Sequence, residues 1–95
     1  MTNKEFMNEL HSAFNRHPIT KGTWHTVNEL IYVLRMEFSD DFCISVEKDG
    51  TWSCIPSSKE TFIPCATLSK KIKEIKYEEE DFDDKIVKCL IIHAQ

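Results

Sequence analysis

The stretch Asp41–Pro56, "DFCISVEKDGTWSCIP", alternates apolar and polar residues on either side of Asp49-Gly50, the pattern of a β-hairpin closed by a tight turn. Two registers fit it, and the choice decides what each face carries. A two-residue loop pairs Lys48 with Thr51 and scatters the apolar residues over both faces. A three-residue loop, with Gly50 as the left-handed bulge residue, pairs Glu47 with Thr51. Phe42, Ile44, Val46, Trp52, Cys54 and Pro56 then share one face, and Cys43, Ser45, Glu47, Thr51, Ser53 and Ile55 take the other. The second register is the expectation, because a small protein needs one continuous apolar face for helices to cover.

Upstream of the hairpin the pattern is helical. Thr2 followed by Glu5 is a capping box, and Phe6, Leu10 and Phe14 recur every four positions, which predicts a helix over 3–15 ended by Pro18 and Gly22. Thr26 and Glu29 repeat that grammar. Val27, Leu30, Ile31, Leu34 and Phe38 then fall on one face of a second helix over about 27–38.

Downstream, "PSSKETFIP" is a polar connection whose Pro64 suits the first turn of a helix. Cys65, Leu68, Ile72 and Ile75 recur at steps of three and four, predicting a third helix over about 64–76 with Lys70, Lys71, Lys73 and Lys76 mainly on its outer side. The acidic run that follows reads as a turn. "KIVKCLIIHA" is apolar on both alternating sets, as in a strand buried on both faces and paired with the hairpin. The expected architecture is a single α+β domain over 1–95, a small antiparallel sheet of hairpin plus C-terminal strand, packed with two N-terminal helices and one later helix.

Composition narrows the function classes. Ninety-five residues support one core, and 41% hydrophobic residues supply it. A net charge of −4 disfavours non-specific attraction to nucleic acid or an anionic membrane, so a charged partner is expected to be basic. No apolar run reaches the roughly 20 residues of a membrane-spanning helix, and the start lacks a signal-peptide pattern, so a cytoplasmic protein is expected. Cys43, Cys54, Cys65 and Cys89 form no C-x-x-C pair and are read as buried thiols.

Nothing spells out a reaction. The chain has no nucleophile elbow, P-loop or dinucleotide fingerprint, and two glycines give it little capacity to wrap a phosphate, so no catalytic residue and no cofactor is assigned. Cys89 and His93 would lie about 13 Å apart on one strand, too far for a cysteine–histidine pair. His11, His17 and His25 lack zinc-ligand spacing and are expected to be exposed, and the acidic run lacks the ligand spacing of a calcium loop, so no metal site is expected.

The carboxylates are the remaining candidates. Glu37, Asp40 and Asp41 cluster after the second helix, Glu47 and Asp49 flank the hairpin tip, and Glu78, Glu79, Glu80, Asp81, Asp83 and Asp84 form the densest patch around Phe82. Such blocks commonly serve solubility, yet they also present a negative field to a basic protein surface. Phe82, isolated among acids, is the candidate apolar anchor; the preferred hairpin register assigns Trp52 to the core.

"VNEL" at 27–30, "DDFCI" at 40–44, "EKDG" at 47–50 and "CIPSSK" at 54–59 resemble the middle of the Arn family, small anti-restriction proteins of T-even phages. The resemblance covers about a third of the chain. It implies an early phage protein that binds the McrBC restriction nuclease in place of DNA, through surface acids arranged like phosphates. With twelve lysines and arginines, this chain is less acidic than such mimicry implies.

The expectation is therefore a non-enzymatic inhibitor that occludes a basic, nucleic-acid-handling surface of a host defence enzyme. The rivals are a nucleic-acid-binding regulator using Lys70 to Lys76, and an immunity protein or antitoxin. A homodimer through an edge strand is also open.

Overall fold

The computed structural model of the chain describes residues 1–47, 51–55 and 63–95, and for residues 51–55 and Phe82 the backbone pairing alone. The elements follow in the order α1 (Asn3–Arg16), α2 (Val27–Glu37), β1 (Phe42–Val46), β2 (Thr51–Ile55), α3 (Cys65–Leu68), β3 (Ile72–Phe82) and β4 (Lys85–Ala94). The fold is α+β, with a four-stranded mixed sheet in the order β2-β1-β4-β3.

Both long helices form as their caps dictate. The Thr2 hydroxyl accepts from the Glu5 amide at 3.1 Å, and the Glu5 carboxylate accepts from the Thr2 amide at 3.3 Å. Those two contacts hold the Glu5 carboxyl below its ordinary value. Thr26 caps α2 in the same manner, accepting from the Glu29 amide. At the end of α1, the buried Thr20 hydroxyl donates to the carbonyls of Phe14 at 2.9 Å and His17 at 3.0 Å, so the terminal carbonyls keep a donor as the chain turns away. Lys21 and Gly22 complete that turn with positive φ.

The core lies between these helices and one face of the sheet. Phe6, Leu10, Ala13 and Phe14 of α1 and Val27, Leu30, Ile31, Val33 and Leu34 of α2 bury against Phe42, Ile44 and Val46 of β1, Leu90 and Ile92 of β4, and Ile75 and Tyr77 of β3. Phe6 is the hub. Its ring stacks on Tyr77 with centroids 4.2 Å apart and meets Phe38 and Phe42 at 5.9 and 5.8 Å.

The third helix is much shorter than its periodicity predicts. Only Cys65–Leu68 is helical, and Ile72 onward is strand. The cause is a bulge: Ile72 pairs with Ala94 and Glu74 with His93, so Lys73 is an extra residue in β3. A bulge lets Ile72 and Ile75, three positions apart, both reach the core from a strand. Their spacing therefore imitated a helix. The four lysines consequently share no helical face: Lys70 lies in the bend after α3, Lys71 bridges Thr26, Lys73 is the bulge residue, and Lys76 lies 3.1 Å from Glu78.

The sheet is mixed because β4 inserts between β1 and β3. It runs parallel to β1, with Phe42 opposite Lys88, and antiparallel to β3. The C-terminal strand pairs with the hairpin as expected, but in parallel, so the sheet is not the purely antiparallel one expected, and β3 joins it as a fourth strand. β4 is buried on one face only, however: Leu90 and Ile92 are covered, while Val87, Cys89 and Ile91 are half-buried on the other side.

The observed hairpin register is neither of the two expected. Val46, not Glu47 or Lys48, pairs with Thr51, which leaves four residues in the connection. By register Trp52 belongs with Ser45 and Cys54 with Cys43, rather than with Phe42, Ile44 and Val46. Asp49 and Pro56 lie outside the described residues. Among the described thiols, Cys43 and Cys89 are half-buried and Cys65 is exposed, so the expectation of uniformly buried cysteines does not hold.

Candidate functional site

The acidic run is a strand and a hairpin tip, not a loop between a helix and a strand. Glu78 to Phe82 complete β3, and Asp83-Asp84 alone make the reversal, with Phe82 paired to Lys85. Both aspartates have positive φ, 49° and 62°, as a two-residue type I′ turn requires. Aspartate tolerates the left-handed region better than most residues, because its short side chain can bond the local backbone.

This hairpin overhangs the rest of the sheet. Pairing of β1 with β4 begins at Lys88, so Lys85, Ile86 and Val87, with their β3 partners Phe82, Asp81 and Glu80, have no neighbouring β1 residue. At about 3.3 Å per residue, the two-stranded arm extends about 10 Å past the β1 edge before the turn. Glu80, Asp81, Asp83 and Asp84 are all exposed there, against one ammonium, Lys85. Among the described residues no ion-pair partner is assigned to these four. Ile86, paired with Asp81, is 66% exposed, an apolar side chain on this acidic arm.

The other predicted acids are placed differently. Glu79 accepts from the Met1 amino group at 2.7 Å, which raises that amine above its ordinary value, first by the hydrogen bond and then by charge. Asp40 is 2.9 Å from the Lys88 ammonium, and Glu37 is 3.6 Å from Arg16. Glu47 is 3.0 Å from His93, at the opposite end of β1 from Asp41 and about 20 Å away along the chain. Glu78 faces Lys76. The carboxylates thus form no single extended row. The tip gathers Glu80, Asp81, Asp83 and Asp84, while Glu37, Asp40, Asp41, Glu47, Glu78 and Glu79 are engaged within the chain.

Ile86 is the feature sequence reasoning missed. It sits in a segment read as a fully buried strand, and the two-residue loop that brings β3 alongside it lacks the Asn-Gly or Asp-Gly signature of such turns. The side chain of Phe82, the candidate anchor, lies outside what the structure describes.

Histidines and thiols show no comparable convergence. His17 is buried, contrary to expectation, with its ring edge-on to Tyr32 at 5.2 Å, and His11 lies 4.6 Å from the Trp24 ring. Among the described residues, no three of His, Cys, Asp and Glu are grouped as a metal ion would require. No described helix is long and apolar enough to cross a membrane. No protein-family model, no curated protein and no solved structure matches the chain.

Proposed function

We propose that this chain is a non-enzymatic protein-binding inhibitor that occludes a basic, nucleic-acid-handling surface of a host defence enzyme. The observation that carries this reading is the overhanging hairpin, which exposes four carboxylates with no ion-pair partner assigned among the described residues, together with an isoleucine, Ile86, paired with one of them. Exposed acids on a projecting arm steer a basic partner into encounter, and an exposed apolar residue on the same arm supplies the contact that excludes water. The resemblance to the Arn family suggests the McrBC nuclease as a first target to test.

The anti-restriction role differs here from imitation of a DNA rod. Duplex DNA displays one charge per about 1.7 Å of axis, whereas these carboxylates cluster at one end of the molecule. A tip of this kind fits a basic cleft better than a groove built for a long duplex. The helical lysine face expected for the cationic rival does not form, since the lysines from 70 to 76 are divided between a bend, a bulge and a strand.

The test is a pull-down from bacterial lysate to identify the partner, followed by association kinetics of the wild-type chain and an Asp81→Asn, Asp83→Asn, Asp84→Asn variant. The variant is expected to associate about tenfold more slowly at low salt, with the difference shrinking as salt rises. Equal association rates at low salt refute steering by the tip. Tight, salt-dependent binding of unrelated DNA by the wild-type chain refutes the inhibitor reading itself.

A further inference from the structure

We propose that the outer edge of β3 at residues 79–81 takes a lysine- or arginine-bearing extended segment of the partner as a fifth strand of the sheet. β3 closes the sheet on the side away from β2, so one of its two rows of main-chain groups has no strand beside it. The direction of that row follows from Tyr77. Its amide donates to the Asn3 carboxamide at 2.8 Å instead of to β4, and the register runs unbroken from Glu74 to Phe82. The main-chain groups of Glu79 and Asp81 therefore point outward as well, while those of Glu78 and Glu80 pair with β4.

The chain itself holds the earlier part of this edge. Lys71 bridges Thr26, the Ile72 amide donates to the His25 carbonyl at 2.8 Å, and Asn3 takes Tyr77. At Glu79 the Met1 amino group engages the carboxylate and not the main chain. Among the described residues no hydrogen bond is assigned to the outward groups of Glu79 or Asp81.

Unpaired main-chain groups select an extended occupant, because a strand satisfies them in order and a helix, bonded within itself, satisfies none. The flanking side chains select its charge. Glu80, Asp81, Asp83 and Asp84 are exposed, with no ion-pair partner assigned among the described residues, and a cross-strand lysine or arginine lies within their reach. A second copy of this chain is excluded by the same side chains, since pairing two such edges over 79–81 sets acid against acid. The inference rests on the protein-binding reading above and adds how the partner is held once the tip has steered it in.

Amide hydrogen exchange, read by NMR on the whole chain, tests the edge residue by residue. In the free chain the Glu79 and Asp81 amides are expected to exchange much faster than those of Glu78 and Glu80. The probe is a synthetic peptide of alternating lysine and valine. One counterpart carries glutamate in place of lysine, and another is N-methylated throughout, which keeps the charge and removes every main-chain donor. At about ten times its Kd the lysine peptide is expected to slow exchange at Glu79 and Asp81 about tenfold, and the counterparts to protect neither. The first-turn amide of Asn28 on α2 should keep its rate.

Asp81→Pro removes an outward amide that the β4 ladder does not use, and should abolish protection at Glu79; Asp81→Asn, which removes the charge alone, should only reduce it. Slow exchange at Glu78 and Glu80 shows that the proline variant keeps its arm, and the N-methylated peptide makes the same test without a variant. The proposal is overturned if the lysine peptide protects neither amide, or if either counterpart protects as well as it does. Protection that rises with the concentration of the chain alone would assign the edge to a second copy and overturn it too. Amide protection without charge steering refutes the tip reading alone, and steering without amide protection refutes the edge alone.

Discussion

Tyr77 offers the sharpest quantitative test of the packing. Its ring is stacked on Phe6, the residue is 3% exposed, and its hydroxyl has no hydrogen-bond partner among the described residues. Burial, followed by the charge and hydrogen-bonding pull of the nearby Glu79 carboxylate, raises its pKa from 10.0 to about 12, although that contact falls short of hydrogen-bond geometry. Ionising it in the folded state is therefore harder than in the unfolded chain. The resulting stability is fully present below about pH 10 and is lost as pH rises through about 12. At about 1.4 kcal/mol per pH unit, the loss over that interval approaches 3 kcal/mol, a large share of a small domain's stability.

The perturbation is Tyr77→Phe, which keeps the stack with Phe6 and removes the ionisable hydroxyl. At neutral pH it is expected to be neutral or stabilising by about 1 kcal/mol, since the removed hydroxyl is buried with no partner at hydrogen-bond geometry among the described residues. Above about pH 10 the variant should resist alkaline unfolding while the wild-type chain weakens. Urea unfolding at stepped pH measures the difference, and phenolate absorbance in a Tyr32→Phe background reports Tyr77 alone. Parallel stability curves for wild type and variant from neutral to strongly alkaline pH refute the reasoning. So does a loss of more than about 1 kcal/mol at neutral pH, which would mean that the hydroxyl makes a bond worth keeping.

Two further predictions concern the turns. Thr20→Val keeps the shape of a buried side chain but removes the donor shared by the Phe14 and His17 carbonyls, and should cost about 1–2 kcal/mol in denaturant unfolding. A cost near zero would mean that the His17 amide, which also donates to the Phe14 carbonyl, and solvent suffice for those carbonyls. At the hairpin tip, Asp84 has φ 62°, so Asp84→Gly should leave the chain more stable than Asp84→Ala by about 1 kcal/mol, although both remove the same charge. Equal midpoints would show that the turn does not hold its left-handed geometry in solution.

Much of the helical layer was legible because its signals are local. Thr2 with Glu5 and Thr26 with Glu29 cap the two helices, and four-residue spacing of Phe6, Leu10 and Phe14 leaves one face to bury. The α3 to β3 segment was not, since a bulge at Lys73 gives Ile72 and Ile75 a three-residue step that helices also use. Periodicity cannot distinguish those two origins. Pairing with β4 decides between them, and that partner lies some twenty residues further along the chain.

The candidate site divides along the same line. The sequence by itself determined that acids crowd between Glu78 and Asp84, that the chain carries net charge −4, and that an apolar strand follows. Those are properties of composition and order. Only the tertiary structure decided which carboxylates are engaged within the chain, because the groups beside Glu37, Asp40, Glu47 and Glu79 come from Arg16, Lys88, His93 and the Met1 amino group. It also decided that Ile86 is exposed. A strand's burial depends on how far its neighbour extends, and β1 pairs with β4 only from Lys88 onward, leaving the arm and its isoleucine in water.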